Sequence, residues 1–121
     1  SYTNCGGSRV QNWLDATATR VEEANLDWEA SQSFVSITQY RPLLERAGQR
    51  YDAQLDESPP SCLSFAQETA IDLFTNDQLA LEQIYDGDQD KANEYGDLAW
   101  TALQKLSVEL DYLSDRYGWE D

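Results

Sequence analysis

The chain has 121 residues, 40% of them hydrophobic, with four Trp, seven Tyr and three Phe. That is enough apolar material for one core and too little length for two ordinary domains. A formal charge of −15 disfavours a nucleic-acid partner, whose phosphates need clustered Lys and Arg, and the absence of His excludes Ser-His-Asp and Cys-His catalytic arrangements.

In chain order, residues 1–8 read as an N-terminal tail, Gly-rich at Cys5-Gly6-Gly7-Ser8. Ser1-Tyr2-Thr3-Asn4 lacks the basic and apolar regions of a signal peptide, so export would need a leader already removed. Ser8 is placed as the N-cap of a first helix whose inward stripe is Val10, Trp13, Leu14, Thr17, Val21, Ala24 and Trp28. A second helix follows Ser31, Ser33 and Ser36 and is expected to turn Ile37, Tyr40, Leu44, Ala47, Tyr51 and Leu55 inward. Pro42 requires that helix either to start near this residue or to kink there.

Asp56-Glu57-Ser58-Pro59-Pro60-Ser61 breaks the pattern, and a third helix begins after the prolines. Its stripe is Leu63, Ala66, Ala70, Leu73, Ala80 and Ile84, with Asp77 standing where an apolar residue is expected. Asp77 has two readings. If buried, its carboxyl should titrate above the ordinary range; alternatively, Thr75-Asn76-Asp77-Gln78 is a capping box at which the helix restarts and Asp77 faces water. The last helix carries Ala92, Gly96, Ala99, Leu103, Leu106, Leu110, Leu113 and Tyr117 in steps of four and three, small residues first, and ends at Gly118. A neighbour can therefore come close near Ala92 and Gly96. The expected fold is all-α: one domain over residues 1–121, an antiparallel up-and-down four-helix bundle.

An even cysteine count in a small chain predicts a bridge between Cys5 and Cys62, pinning the tail to the start of the third helix. The alternative is two unrelated buried thiols; no C-x-x-C spacing supports a redox pair, and two bridged cysteines leave no ordinary zinc site. The bridge places the chain outside the cytoplasm, whether secreted, periplasmic or envelope-attached. No apolar run is long enough for a membrane span.

Residues 51–90 hold ten acids and no Lys or Arg, while Arg41, Arg46 and Arg50 lie just before them. Such a stretch reads as a solvated acidic face, and with only two lysines it would also suit a protein from a high-salt organism. An acidic mimic of DNA would have to act inside cells, against the predicted bridge. Asp86, Asp88 and Asp90 alternate between two helices, and counting on from Asp86 reaches Glu94 and Asp97 at positions nine and twelve of a calcium loop. Lys91 stands where that loop needs Gly, and Asp97 where it needs the longer Glu. The competing reading is a turn in which Asp88 or Asp90 caps the last helix. Neither Gly-rich phosphate loop is present, and pairs among 23 acids are too common to identify a carboxylate enzyme by themselves. Trp13 and Trp28 read as core. Trp100 and Trp119 lie off the stripe, as partner-binding anchors or as closures of one end of the core.

The Trp-containing first helix, Arg41-Pro42-Leu43-Leu44-Glu45-Arg46 and Pro59-Pro60-Ser61-Cys62-Leu63 together resemble a two-cysteine helical domain of uncharacterised bacterial extracellular proteins and lipoproteins. The resemblance covers about half the chain; it implies an envelope location and a helical bundle and carries no activity. The expected function is a non-catalytic interaction or structural module, with a protein partner or self-association and no cofactor. A calcium-dependent module using Asp86 to Asp97, and a carboxylate enzyme marked by a concave pocket with convergent acids, are the alternatives.

Overall fold

The computed structural model describes residues 5–119. Within them lie four helices: α1 (Gly7–Ser31), α2 (Arg41–Leu55), α3 (Ser64–Tyr85) and α4 (Gln89–Tyr117), with single 3-10 turns at Ile37–Tyr40 and Ser61–Leu63. Short connections return each helix against the one before it. α3 and α4 run close together over most of their length and α2 packs closely on α3, whereas the α1 backbone approaches α2 and α3 only locally. The reason is side-chain size, since α1 faces its neighbours with Trp13 and Trp28.

α1 starts two residues earlier than its Ser8 signal suggests. Gly6 is the cap and Ser8 lies inside the helix, with no side-chain cap bond at this end. Gly7 enters the helix at φ +76°, a left-handed value open to a residue without Cβ. The predicted stripe of α1 is otherwise the inward face, with Val10, Trp13, Thr17 and Ala24 buried.

Pro42 lies in the first turn of α2, where its missing N–H costs nothing, and no kink is needed. The inward face of this helix differs from the expected one. Leu43, Ala47, Arg50 and Gln54 are buried, while Ile37 and Leu55 are about half exposed. The buried face is rotated by one position because two polar residues occupy it, a combination that apolar periodicity does not register.

α3 is continuous through Thr75-Asn76-Asp77-Gln78. The Thr75 hydroxyl donates back to the Ile71 carbonyl at 2.8 Å, so no capping box restarts the helix, and Asp77 is buried at 6% exposure. In α4 the expected stripe faces the core, with Ala92, Leu106 and Leu113 buried, and Gly118 closes the helix in the left-handed conformation at φ +66°. The close approach expected at Gly96 is to a side chain: a Cβ there would lie 3.6 Å from the Trp28 ring of α1.

Cys5 and Cys62 form a disulfide, their Cα atoms 5.9 Å apart. It ties the entry of α1 to the 3-10 turn before α3. The Trp119 indole, just beyond α4, donates to the Cys5 carbonyl at 3.1 Å, so the two ends of the described chain meet at the bridge. The main core joins Trp13, Leu63, Leu73, Phe74 and Leu106 to the disulfide, and a second cluster gathers Leu43, Ala47 and Leu81. Among the described residues no helix is long and apolar enough to cross a membrane.

Candidate functional site

Two polar networks cross the interior. In the first, Arg50 of α2, only 3% exposed, donates from Nη1 to Asp27 of α1 at 2.8 Å and from Nη2 to Asp77 of α3 at 3.0 Å. Arg46, one turn earlier, grips Asp27 with two donors, Nε at 3.1 Å and Nη2 at 2.8 Å. Two arginines thus face two aspartates, and the four formal charges cancel, which is what allows three of these side chains to be buried. The Arg50 Nε is buried without a hydrogen-bond partner among the described residues.

The two carboxyls respond in opposite directions. Burial pushes Asp27 up, but the hydrogen bonds and charges of Arg46 and Arg50 outweigh it and hold Asp27 below the usual carboxylate range. For Asp77, burial dominates; Arg50 lowers its pKa only in part, and the carboxyl titrates above its usual value.

The second network is neutral at its centre. Trp13 Nε1 and Gln54 Nε2 both donate to Gln67 Oε1, at 2.8 and 2.9 Å, and Gln67 Nε2 donates to the Gln54 carbonyl at 2.6 Å. Arg20 reaches Gln54 Oε1 at 2.9 Å and forms an ion pair with Glu57 at 3.3 Å. These bonds lock α1, α2 and α3 together in a region where each polar group would otherwise lose its water partner.

On the other side of α1 lies a groove. α1 and α4 do not close on each other, and the gap between them is a cavity of about 1010 Å³ with α3 as its floor. One wall is Trp13, Leu14, Val21, Ala24 and Trp28; the facing wall is Gly96, Ala99, Trp100, Leu103, Leu106 and Leu110. Leu73, Ala80 and the buried Asp77 form the floor. Asp15, Glu22 and Asp97 add three further carboxylates to the lining, and no Lys or Arg is part of it. The Trp28 ring over Gly96 narrows one end, and Trp100 stands 60% exposed on the α4 side.

The residues singled out from the sequence distribute unevenly around this site. Trp100 and Asp77 line the groove; Trp119 closes the disulfide end through Cys5. The five candidate calcium ligands are not gathered. Asp88 caps α4 by accepting from the Lys91 amide at 3.0 Å, Asp90 sits in the first turn, and Glu94 and Asp97 follow on a helix that is already regular where a calcium loop would still be coiling. Among the described residues no three acids or cysteines converge on one point. The concave pocket sought for a carboxylate enzyme is present, but with one shifted acid in it: Asp77 lines the groove and Asp27 does not.

Asp27, Gln54 and Gln67 escaped the sequence reading, which noted Arg50 only for its charge. Arg50 and Gln54 are four apart on α2, and Arg46 and Arg50 likewise; that spacing is the one signal that could have placed them on a common face. Comparison of the chain with family models, curated proteins and solved structures finds no match.

Proposed function

We propose that this chain is a non-catalytic interaction module that works outside the cytoplasm and receives an apolar ligand or partner segment in the groove between α1 and α4. The observation that carries the reading is the groove itself. A cavity of about 1010 Å³ walled by tryptophans and leucines is the kind of concave apolar surface that binding sites use, and its few polar groups can orient what enters. The disulfide supports the location, since thiols in the cytoplasm are kept reduced.

An uncharged polarity-sensitive dye such as Nile red tests the groove, read against a variant that fills it, Ala99→Trp. Binding to the parent chain and its loss in Ala99→Trp is the expected result. Dye binding that is absent, or unaffected by the filled groove, would sink the reading. The location is tested by intact mass after alkylation of protein taken from its native source, with and without prior reduction. Alkylation of both cysteines without reduction removes the compartment argument.

A second reading is favoured by Asp77, an acid with a raised pKa on the floor of an apolar cavity, as general acid–base catalysis requires. Arg50 already occupies this carboxyl, and no second shifted acid faces it across the groove, so the binding reading is preferred.

A further inference from the structure

Resting on the groove reading, we infer that the natural occupant is a basic amphipathic helix of a partner protein, laid along the groove as a fifth helix. Three features of the groove select this occupant. Its length comes first. The α1 wall runs from Trp13 to Trp28, fifteen residue steps, or about 22 Å of helix at 1.5 Å per residue, so the groove accommodates about four turns of a partner helix.

The second feature is the chemistry of the walls. They are apolar side chains on regular helices whose backbone hydrogen bonds are already made, so they offer no strand edge. An extended peptide lying there would leave its own N–H and C=O groups without partners, whereas a helix satisfies them internally and presents an apolar stripe. Ridges of such a stripe can seat between α1 and α4 as helices pack elsewhere.

The third is charge. Asp15, Glu22 and Asp97 contribute exposed carboxylates to the lining, no cation is among the lining residues, and the whole chain carries −15. Lys and Arg on the flanks of an incoming helix would meet these acids, and the field of the chain would speed their encounter. The same field repels anionic lipid headgroups and a second copy of this acidic chain.

Three 18-residue peptides serve as probes: one with leucines on one helical face and lysines on the other, one with glutamates replacing the lysines, and one with the Lys/Leu composition scrambled to destroy amphipathicity. Binding is read by tryptophan fluorescence and by displacement of the uncharged dye. The Lys/Leu helix is expected to bind and displace the dye, the other two to bind at least tenfold more weakly. Reversing the acids in the lining, Asp15→Lys, Glu22→Lys and Asp97→Lys together, weakens the Lys/Leu peptide by about tenfold, the sum of three exposed pairs. The control Asp56→Lys, Glu68→Lys and Asp111→Lys makes the same change in net charge away from the groove and has a smaller effect.

Dye binding that persists while the Lys/Leu peptide fails to displace it overturns the helix and leaves the groove standing; loss of dye binding itself overturns the groove. Equal binding of the scrambled peptide, equal weakening by the two triple variants, or a concentration-dependent dimer that occludes the dye each overturns the proposal as well. Far-ultraviolet circular dichroism of both triple variants establishes that they remain folded before binding is compared.

Discussion

Arg50 reaches Asp77 across the interface of α2 and α3, Nη2 to Oδ2 at 3.0 Å, and the same guanidinium holds Asp27 of α1 with its other terminal nitrogen. One buried side chain therefore joins three helices. Asp77 is also part of the groove floor, so the pair links the interior network to the candidate binding surface.

Replacing Arg50 by Met removes the cation and leaves Asp77 buried without its partner. Asp27 keeps Arg46, so the loss falls mainly on the α2–α3 contact. The expected cost is about 3–5 kcal/mol in urea unfolding, the range for breaking a buried pair by removing one member. Adding Asp77→Leu to Arg50→Met should recover part of that loss, because the stranded charge is gone. No recovery in the double variant would mean that the pair does not set the stability of this contact.

The two buried carboxyls give opposite pH dependences. Asp27 has a folded pKa below its ordinary value of 3.8, burial notwithstanding, because Arg46 and Arg50 outweigh it; its stabilisation is present above pH 3.8 and is lost as pH falls through the folded value. Asp77 has a folded pKa above 3.8, chiefly from burial, so its contribution is most favourable at low pH and declines as pH rises through the raised value. Relative to Asp77→Asn, the parent chain should gain stability as pH is lowered from about 7 toward 4; relative to Asp27→Asn, it should lose its advantage only below about pH 3.8. Denaturant midpoints across this range decide it, and a pH-independent difference for either variant refutes the corresponding shift.

Gln67→Leu tests the neutral network. The change preserves approximate volume but leaves the Trp13 indole N–H and the Gln54 amide without their shared acceptor, for an expected loss of about 1–3 kcal/mol per stranded group. Hydrogen exchange at the Trp13 indole, followed by NMR, should accelerate in the variant. Unchanged exchange and unchanged stability would show that the acceptor is dispensable.

Gly96 separates helix propensity from groove geometry. A Cβ there meets the Trp28 ring at 3.6 Å, an ordinary van der Waals distance, so Gly96→Ala should stabilise the chain by about 0.5–1 kcal/mol through helix propensity. Gly96→Leu must push the Trp28 ring aside and should cost about 1–3 kcal/mol while reducing dye binding. Thermal unfolding of both variants is the measurement. A destabilised Gly96→Ala would mean that the Trp28 ring cannot tolerate even a methyl group.

The helices were legible wherever burial is apolar. The α4 stripe from Ala92 to Tyr117 and the α1 stripe from Val10 to Trp28 follow from spacing, because a 3.6-residue period brings those positions to one face before any partner is specified. The same reasoning misassigned the α2 face. Arg50 and Gln54 point inward there, and their burial is tolerable only because Asp27, Asp77, Thr17 and Gln67 wait on other helices. Asp77 shows the same limit from the other side: its position on the α3 stripe was visible, but whether the helix ran on through it depended on a cation from α2.

Local chemistry in the chain is enough to determine that the last helix ends at Gly118, which apolar faces α1 and α4 present, and that Cys5 and Cys62 are available to bridge, while Pro42 left a start or a kink open and Asp88 a cap or a calcium loop. Those properties depend on neighbours a few residues away or, for the bridge, on there being one possible pair. Tertiary structure alone decided which charges meet in the interior and that α1 stands off from α4 across an open groove. Both depend on side-chain volume and electrostatics summed over residues far apart in the chain: the Trp13 and Trp28 rings space the helices, and Arg50 becomes stable inside only when two aspartates from other helices surround it.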